Sequence, residues 1–134
     1  ALYVAVYARE PRMNTMACRL TARDAALWEE ESIAVVLRPK GKSEYRFVVN
    51  PLGAQFDNRD GNDAWDGDWR VATQTWPVGW SAEIAIPFAT LDAAPDKGDW
   101  ELDFVRTRRN VENERSVWVY SADGAKKEKG LLIF

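Results

Sequence analysis

Two short apolar runs joined by a Pro-Gly connection constrain the fold of this chain more than any other feature. The runs are Ile33 to Leu37 and Tyr45 to Val49, and both are rich in the β-branched and aromatic residues that favour strands. The segment Pro39 to Ser43 between them cannot continue a helix and favours a short connection. The sequence therefore predicts a central β-hairpin.

Strand periodicity recurs along the rest of the chain. It is found in the segments Leu2 to Ala8, Trp69 to Thr75, Trp80 to Ile86, Asp99 to Thr107, Ser116 to Tyr120 and Leu131 to Phe134. Trp69 to Thr75 and Trp80 to Ile86 should pair as a second hairpin, whereas Arg9 to Ala26 has no sustained period and is predicted to be a long loop. About nine short strands without a long helix predict an all-β fold, an antiparallel β-sandwich of the jelly-roll or immunoglobulin-like kind.

Length and charge limit the domain count and the partners. With 134 residues, the chain is expected to form a single domain over 1–134. The formal net charge is -3 and the basic residues are scattered, so neither a nucleic acid nor a membrane is an expected partner. Because strand periodicity begins at the first residues, we expect that part of the N-terminal strand sequence of a longer polypeptide is missing.

The absence of histidine bears on catalysis. Without it, the chain lacks the common general base near neutral pH and the Ser-His and Cys-His nucleophile pairs. Two carboxylates remain formally able to catalyse hydrolysis, but no spacing in the sequence singles out a pair. The sequence predicts that the protein is not an enzyme.

Several segments together carry a resemblance to a known family. They are, in chain order, DAALWEEESIAVVLRP, YRFVVNPLG, GWSAEIAIPFATL and LDFVRTRRN. The sequence resembles the family 9 carbohydrate-binding modules and the wider DOMON-like group of β-sandwich domains. The resemblance implies a non-catalytic extracellular domain, secreted or periplasmic, that belongs to a larger multidomain protein and binds a mono-, oligo- or polysaccharide.

The resemblance also implies a binding site. In these modules two tryptophans hold a sugar ring between them, and Trp28 and Trp118 fall at the matching positions. Asn50 follows the central hairpin, and its amide can donate and accept hydrogen bonds at the sugar edge. The sequence departs from the family pattern at Ala34, where the family has an acidic residue that accepts bonds from sugar hydroxyls.

Arg106 is the remaining polar candidate for the carbohydrate site. It lies in register with an apolar strand face, so it either ends the strand beyond the core or meets a carboxylate such as Glu83. Of the seven tryptophans, Trp69, Trp80 and Trp100 are predicted to lie in the core. The run Glu29 to Glu31 is predicted to be a solvated rim.

The polar segment after the hairpin permits two interpretations. Its carboxylates Asp57, Asp60 and Asp63 are candidate calcium ligands, and calcium is a structural ion in the resembling family. Their spacing does not match an EF-hand, so an acidic hairpin turn is the alternative.

Two functional hypotheses therefore remain. The first is a carbohydrate-binding module, and the second is a structural or interaction domain of the same fold that binds no sugar and packs against other domains of a parent chain. Exposure of Trp28 and Trp118 separates them, because a sugar platform must be accessible.

Overall fold

Two antiparallel sheets make up this computed structural model, which describes residues 1–95, 98–110, 113–117 and 130–132. Among these residues there are nine strands and two short 3-10 helices, Met13–Thr15 and Leu27–Glu29. The strands are β1 (Leu2–Arg9), β2 (Ser32–Arg38), β3 (Tyr45–Val49), β4 (Gln55–Arg59), β5 (Arg70–Trp76), β6 (Gly79–Ile86), β7 (Trp100–Arg109), β8 (Asn113–Val117) and β9 (Gly130–Leu132).

The two sheets pack face to face as a β-sandwich, which confirms the predicted fold class. The small sheet has three strands in the order β1-β6-β5, and the large sheet has six, with β4-β3-β2-β7-β8 in sequence and β9 also paired with β7. Both predicted hairpins are present, since β2 pairs with β3 and β5 with β6. No helix among the described residues has the length and apolar character needed to cross a bilayer.

Strand β4 was not predicted. The segment Gln55–Arg59 contains only one apolar residue, Phe56, so it lacks the alternation that marks a half-buried strand. Pairing with β3 nevertheless holds it in the sheet, and Asp57 opposite Phe47 is fully buried. The polar segment is therefore an edge strand followed by a turn.

The core lies between the inner faces of the two sheets. Trp80 and Trp100 are almost wholly buried there, as is Trp69, and all three predictions of core tryptophans are confirmed. Apolar side chains from alternate positions of β2, β3 and β6 fill the space around them, as the period of two requires. Trp65 is partly buried against this core, whereas Trp76 is half-exposed at the end of β5.

A buried polar network closes one end of the core. Glu31 Oε1 accepts hydrogen bonds from Trp80 Nε1 at 3.0 Å and from Arg106 Nε and Nη2 at 2.9 and 2.7 Å. Glu10 accepts two from Arg108, at 2.5 and 2.9 Å, and these hold the pKa of Glu10 down at about 2. Glu31 is fully buried, so the prediction of a solvated rim was wrong at this residue.

Candidate functional site

A groove of about 300 Å³ lies on the outer face of the large sheet, away from the core. Its floor is apolar because three neighbouring strands each turn a small aliphatic side chain outward. Ala34 on β2 lies between Val48 on β3 and Val105 on β7 in the sheet register. The volume is at the lower end of the range for small-molecule sites.

The long loop before β2 covers part of this outer face and forms one wall of the groove. It is held to the sheet by the backbone, since Ala17 N donates to Arg109 O at 2.8 Å and Glu31 N donates to Ala17 O at 2.9 Å. Leu27 is fully buried beneath the loop in a second apolar cluster with Ala34 and Val48. This anchoring fixes the short 3-10 helix that presents the next residue.

That residue is Trp28, whose ring is 45% exposed and lines the groove. Phe56 packs against it in an edge-to-face arrangement, with 4.8 Å between ring centroids and 78° between planes. Such packing favours a single ring orientation. The structure thus presents an accessible aromatic surface that is held in place.

Polar groups surround the apolar floor. They are Ser32, Arg46, Asn58, Asp63, Thr107 and Arg115. Arg46 on β3 lies opposite Asn58 on β4, and Thr107 on β7 lies opposite Arg115 on β8. Asn58 Nδ2 donates to Asp63 Oδ1 at 3.0 Å, which orients both side chains. The groove therefore combines an apolar floor, an aromatic wall and several hydrogen-bonding groups.

Within the part of the chain that the structure describes, Trp28, Asn50 and Arg106 do not come together. Trp28 lies in the groove, and Trp118 lies outside the described residues. Asn50 is fully buried and caps its own turn, since its Oδ1 accepts from the backbone of Leu52 and Ala54 and its Nδ2 donates to Leu20 O at 2.7 Å. The amide is fully engaged within the protein, so Asn50 does not line the groove.

Arg106 also lies elsewhere. Its side chain points to the core side of the large sheet, where it pairs with Glu31 and donates to Arg9 O at 2.7 Å. Of the two expectations for Arg106, the one that it meets a carboxylate is confirmed, but the partner is Glu31, whereas Glu83, named as an example, is exposed on β6. The guanidinium closes the core instead of facing the groove.

The candidate calcium ligands are each engaged within the protein. Asp57 accepts hydrogen bonds from Arg23 Nη2 at 2.6 Å, from Trp69 Nε1 at 2.7 Å and from Gly67 N at 3.0 Å. Burial raises the pKa of Asp57 in spite of these bonds. The charge of Asp57 is therefore already paired with the guanidinium of Arg23.

The other two carboxylates have partners of their own. Asp60 Oδ1 accepts from Glu44 N at 2.8 Å, and Asp63 accepts from Asn58 in the groove. Within the described residues no three acidic, cysteine or histidine side chains converge on a point where a metal ion would fit. Asp57, Asp60 and Asp63 therefore do not fit a shared calcium ion, and binding of calcium by the chain stays a prediction.

Arg46, Asn58, Thr107 and Arg115 were missed by sequence analysis. The available signal was on β2, where SIAVVLR is apolar at nearly every position, a pattern typical of strands covered on both faces. Ala34 faces the outer side of the sheet and Ile33 faces the core. Polar residues on neighbouring strands that face the same side as Ala34 would then line the outer face. The strand neighbours themselves were not deducible from one sequence.

Comparisons with known proteins bear on this fold. Neither a family model nor a curated protein matches the sequence. Among solved structures, a "putative carbohydrate-binding protein" from Bacteroides uniformis superposes with a TM-score of 0.58 at 12% identity over 87% of this chain. A family 9 carbohydrate-binding module from Caldicellulosiruptor kristjanssonii, solved with cellotriose, superposes with a TM-score of 0.57 at 17% identity over 86%.

The likeness establishes a fold of the family 9 carbohydrate-binding-module kind. At these identities it establishes the fold alone. The chain spans 61% of the Bacteroides protein and 56% of the Caldicellulosiruptor module.

Proposed function

We propose that this protein is a non-catalytic carbohydrate-binding domain that holds a sugar in the groove against Trp28. One observation carries the proposal: a half-exposed tryptophan, fixed by Phe56, stands over an apolar floor edged by hydrogen-bonding side chains. The two solved neighbours support it, since one is described as carbohydrate-binding and the other is bound to cellotriose.

The chemistry of the groove suits a pyranose. A sugar ring offers C–H groups to the electron-rich face of an indole, while its hydroxyls require partners that donate and accept. Arg46 and Asn58 can donate, and the hydroxyls of Ser32 and Thr107 can donate and accept. Ala34 contributes only to the apolar floor, so the groove has no acidic acceptor at the position where the family pattern places one.

The test is a titration of the folded protein with a panel of soluble glycans, cellotriose among them, followed by calorimetry. Trp28→Ala should abolish binding. Trp76→Ala is the matched control, because Trp76 is also half-exposed but lies on the small sheet, and its affinity should stay within about two-fold of wild type. Equal loss in both variants, or no glycan bound by wild type, would overturn the proposal.

A second candidate function is an interaction domain of the same fold. The observation that favours it is the outer face of the small sheet, where Tyr3, Tyr7 and Trp76 are 78%, 54% and 50% exposed. Exposed aromatic clusters are typical of protein-protein contacts. If the glycan panel is silent and Tyr3→Ser abolishes packing with a neighbouring domain of the parent chain, this candidate replaces the first.

Under the first proposal the domain belongs to a larger secreted or periplasmic protein and keeps that protein near its glycan. Cell fractionation of the parent protein tests the location, and a cytoplasmic fraction would contradict it.

A further inference from the structure

We infer that the ligand of the groove is an acidic glycan whose uronate carboxylate is bound by Arg46. This inference rests on the proposed function and names the ligand class of the same site. The evidence for it is the charge of the groove, because neither the fold nor an exposed tryptophan distinguishes a neutral sugar from an acidic one.

The groove is locally basic on an acidic protein. The chain has a formal net charge of -3, yet the groove is lined by two guanidinium groups, Arg46 and Arg115, against one carboxylate, Asp63. Asp63 is held by the neutral amide of Asn58 and not by either arginine. Within the described residues the groove therefore has an excess of positive charge, which favours an anionic ligand.

Arg46 is partly buried and has neither a hydrogen-bond nor an ion-pair partner among the residues that the structure describes. Two partly buried arginines in the middle of β7 behave differently, since Arg106 pairs with Glu31 and Arg108 with Glu10, whereas Arg109 at the end of that strand has no side-chain partner among the described residues. Removing a guanidinium from water is costly unless an anion compensates it. For Arg106 and Arg108 the compensating anion is a glutamate of the chain. For Arg46 we infer that the compensating anion is a carboxylate of the ligand.

The geometry separates the two groove arginines. Arg46 is on β3 and Arg115 on β8, with β2 and β7 between them, so their backbones are about 14 Å or more apart at the usual strand spacing. The two guanidinium groups therefore enter the groove from strands on different sides of β2 and β7. Arg46 is the carboxylate partner because it is the less exposed of the two, so an anion compensates its guanidinium more strongly; its planar fork can bind both carboxylate oxygens, and Arg115 contributes long-range attraction.

The first experiment compares trigalacturonate with its methyl ester, which has the same sugar skeleton without the charge. Calorimetric titration should give an affinity for the acid at least about 10-fold above that for the ester, since bonds to charged groups exceed neutral ones. The advantage should shrink as salt rises, because the groove is open to solvent. An ester or cellotriose bound as tightly as the acid overturns the ligand class and leaves the proposed function standing.

The second experiment uses variants on both ligands. Arg46→Gln should weaken binding of the acid by about 10-fold to 100-fold and that of the ester much less, with Arg46→Lys in between. Arg70→Gln, which removes a charge from the outer face of the small sheet, is the matched control and should change neither.

Asp63→Asn supplies a result of opposite sign. If the ligand is acidic, removing the only described groove carboxylate relieves repulsion and tightens binding of trigalacturonate. If the ligand is neutral and Asp63 accepts from hydroxyls, the same variant weakens binding, which overturns the inference. Absence of binding to every glycan tested overturns the proposed function and this inference together.

Discussion

Replacing Glu31 with glutamine tests the buried network that closes the core. The substitution keeps the shape of the side chain but removes the charge that faces Arg106. Three donors converge on Glu31 Oε1, two of them from that guanidinium. In addition, Oε2 is buried without a hydrogen-bond partner among the described residues, so the amide nitrogen of glutamine would find no acceptor there.

The expected loss of stability depends on the contacts that Arg106 keeps in the variant. Breaking a fully buried ion pair costs about 3–5 kcal/mol. Arg106 is 22% exposed, keeps its bond to Arg9 O and has Glu10 Oε2 at 3.7 Å, so the loss should be smaller. We expect Glu31→Gln to lower the free energy of unfolding by about 2–3 kcal/mol.

Urea denaturation followed by tryptophan fluorescence measures this loss, with an unchanged m-value indicating that only stability has changed. Glu29→Gln is the matched control, because Glu29 is exposed two residues away and its substitution should cost less than about 0.5 kcal/mol. If Glu31→Gln behaves like Glu29→Gln, then Glu31 is solvated and the argument for the network fails.

Three further predictions concern the groove, acid stability and calcium. Trp28→Ala should cost about 2–3 kcal/mol of stability, since roughly half of a tryptophan surface is buried at about 25 cal/mol per Å²; a thermal melt checks this, and a cost near zero would mean that the ring does not pack on Phe56. The pKa of Glu10 is about 2, below its ordinary 4.5, so its contribution to stability is full above about pH 4.5 and is lost as pH falls towards 2. Glu10→Gln should therefore melt below wild type at pH 7, with the gap closing near pH 2; a gap that stays constant would refute the cause. Because Asp57 already pairs with Arg23, adding calcium or a chelator should leave the melting temperature unchanged, and a rise with calcium would demonstrate a site elsewhere in the chain.

Local patterns in the sequence were sufficient for the two hairpins and the core tryptophans, although not for β4. The runs Ile33 to Leu37 and Tyr45 to Val49 form the central hairpin, and Trp69, Trp80 and Trp100 are buried, because the period of two and the turn residues act within a few positions of each other. The β-sandwich follows from the number and spacing of such segments.

The candidate site depended on contacts between distant segments. Glu31 and Arg106 are 75 residues apart, and nothing local distinguishes the buried Glu31 from the exposed Glu29 beside it. Asn50 was predicted to bind sugar because it follows a strand, but it is buried and its amide nitrogen donates to Leu20 O in the long loop.

The order of the strands in the large sheet determines which side chains line the groove. Trp28 was predicted as a site residue from the family resemblance, whereas Arg46 and Asp63 line the same groove only because β3 pairs with β2 and β4 pairs with β3. The sequence by itself determined which segments become strands and which faces of them are apolar, since those properties depend on side-chain alternation. Only the tertiary structure decided which polar side chains share a surface, because that depends on which strands pair and on which loop covers them.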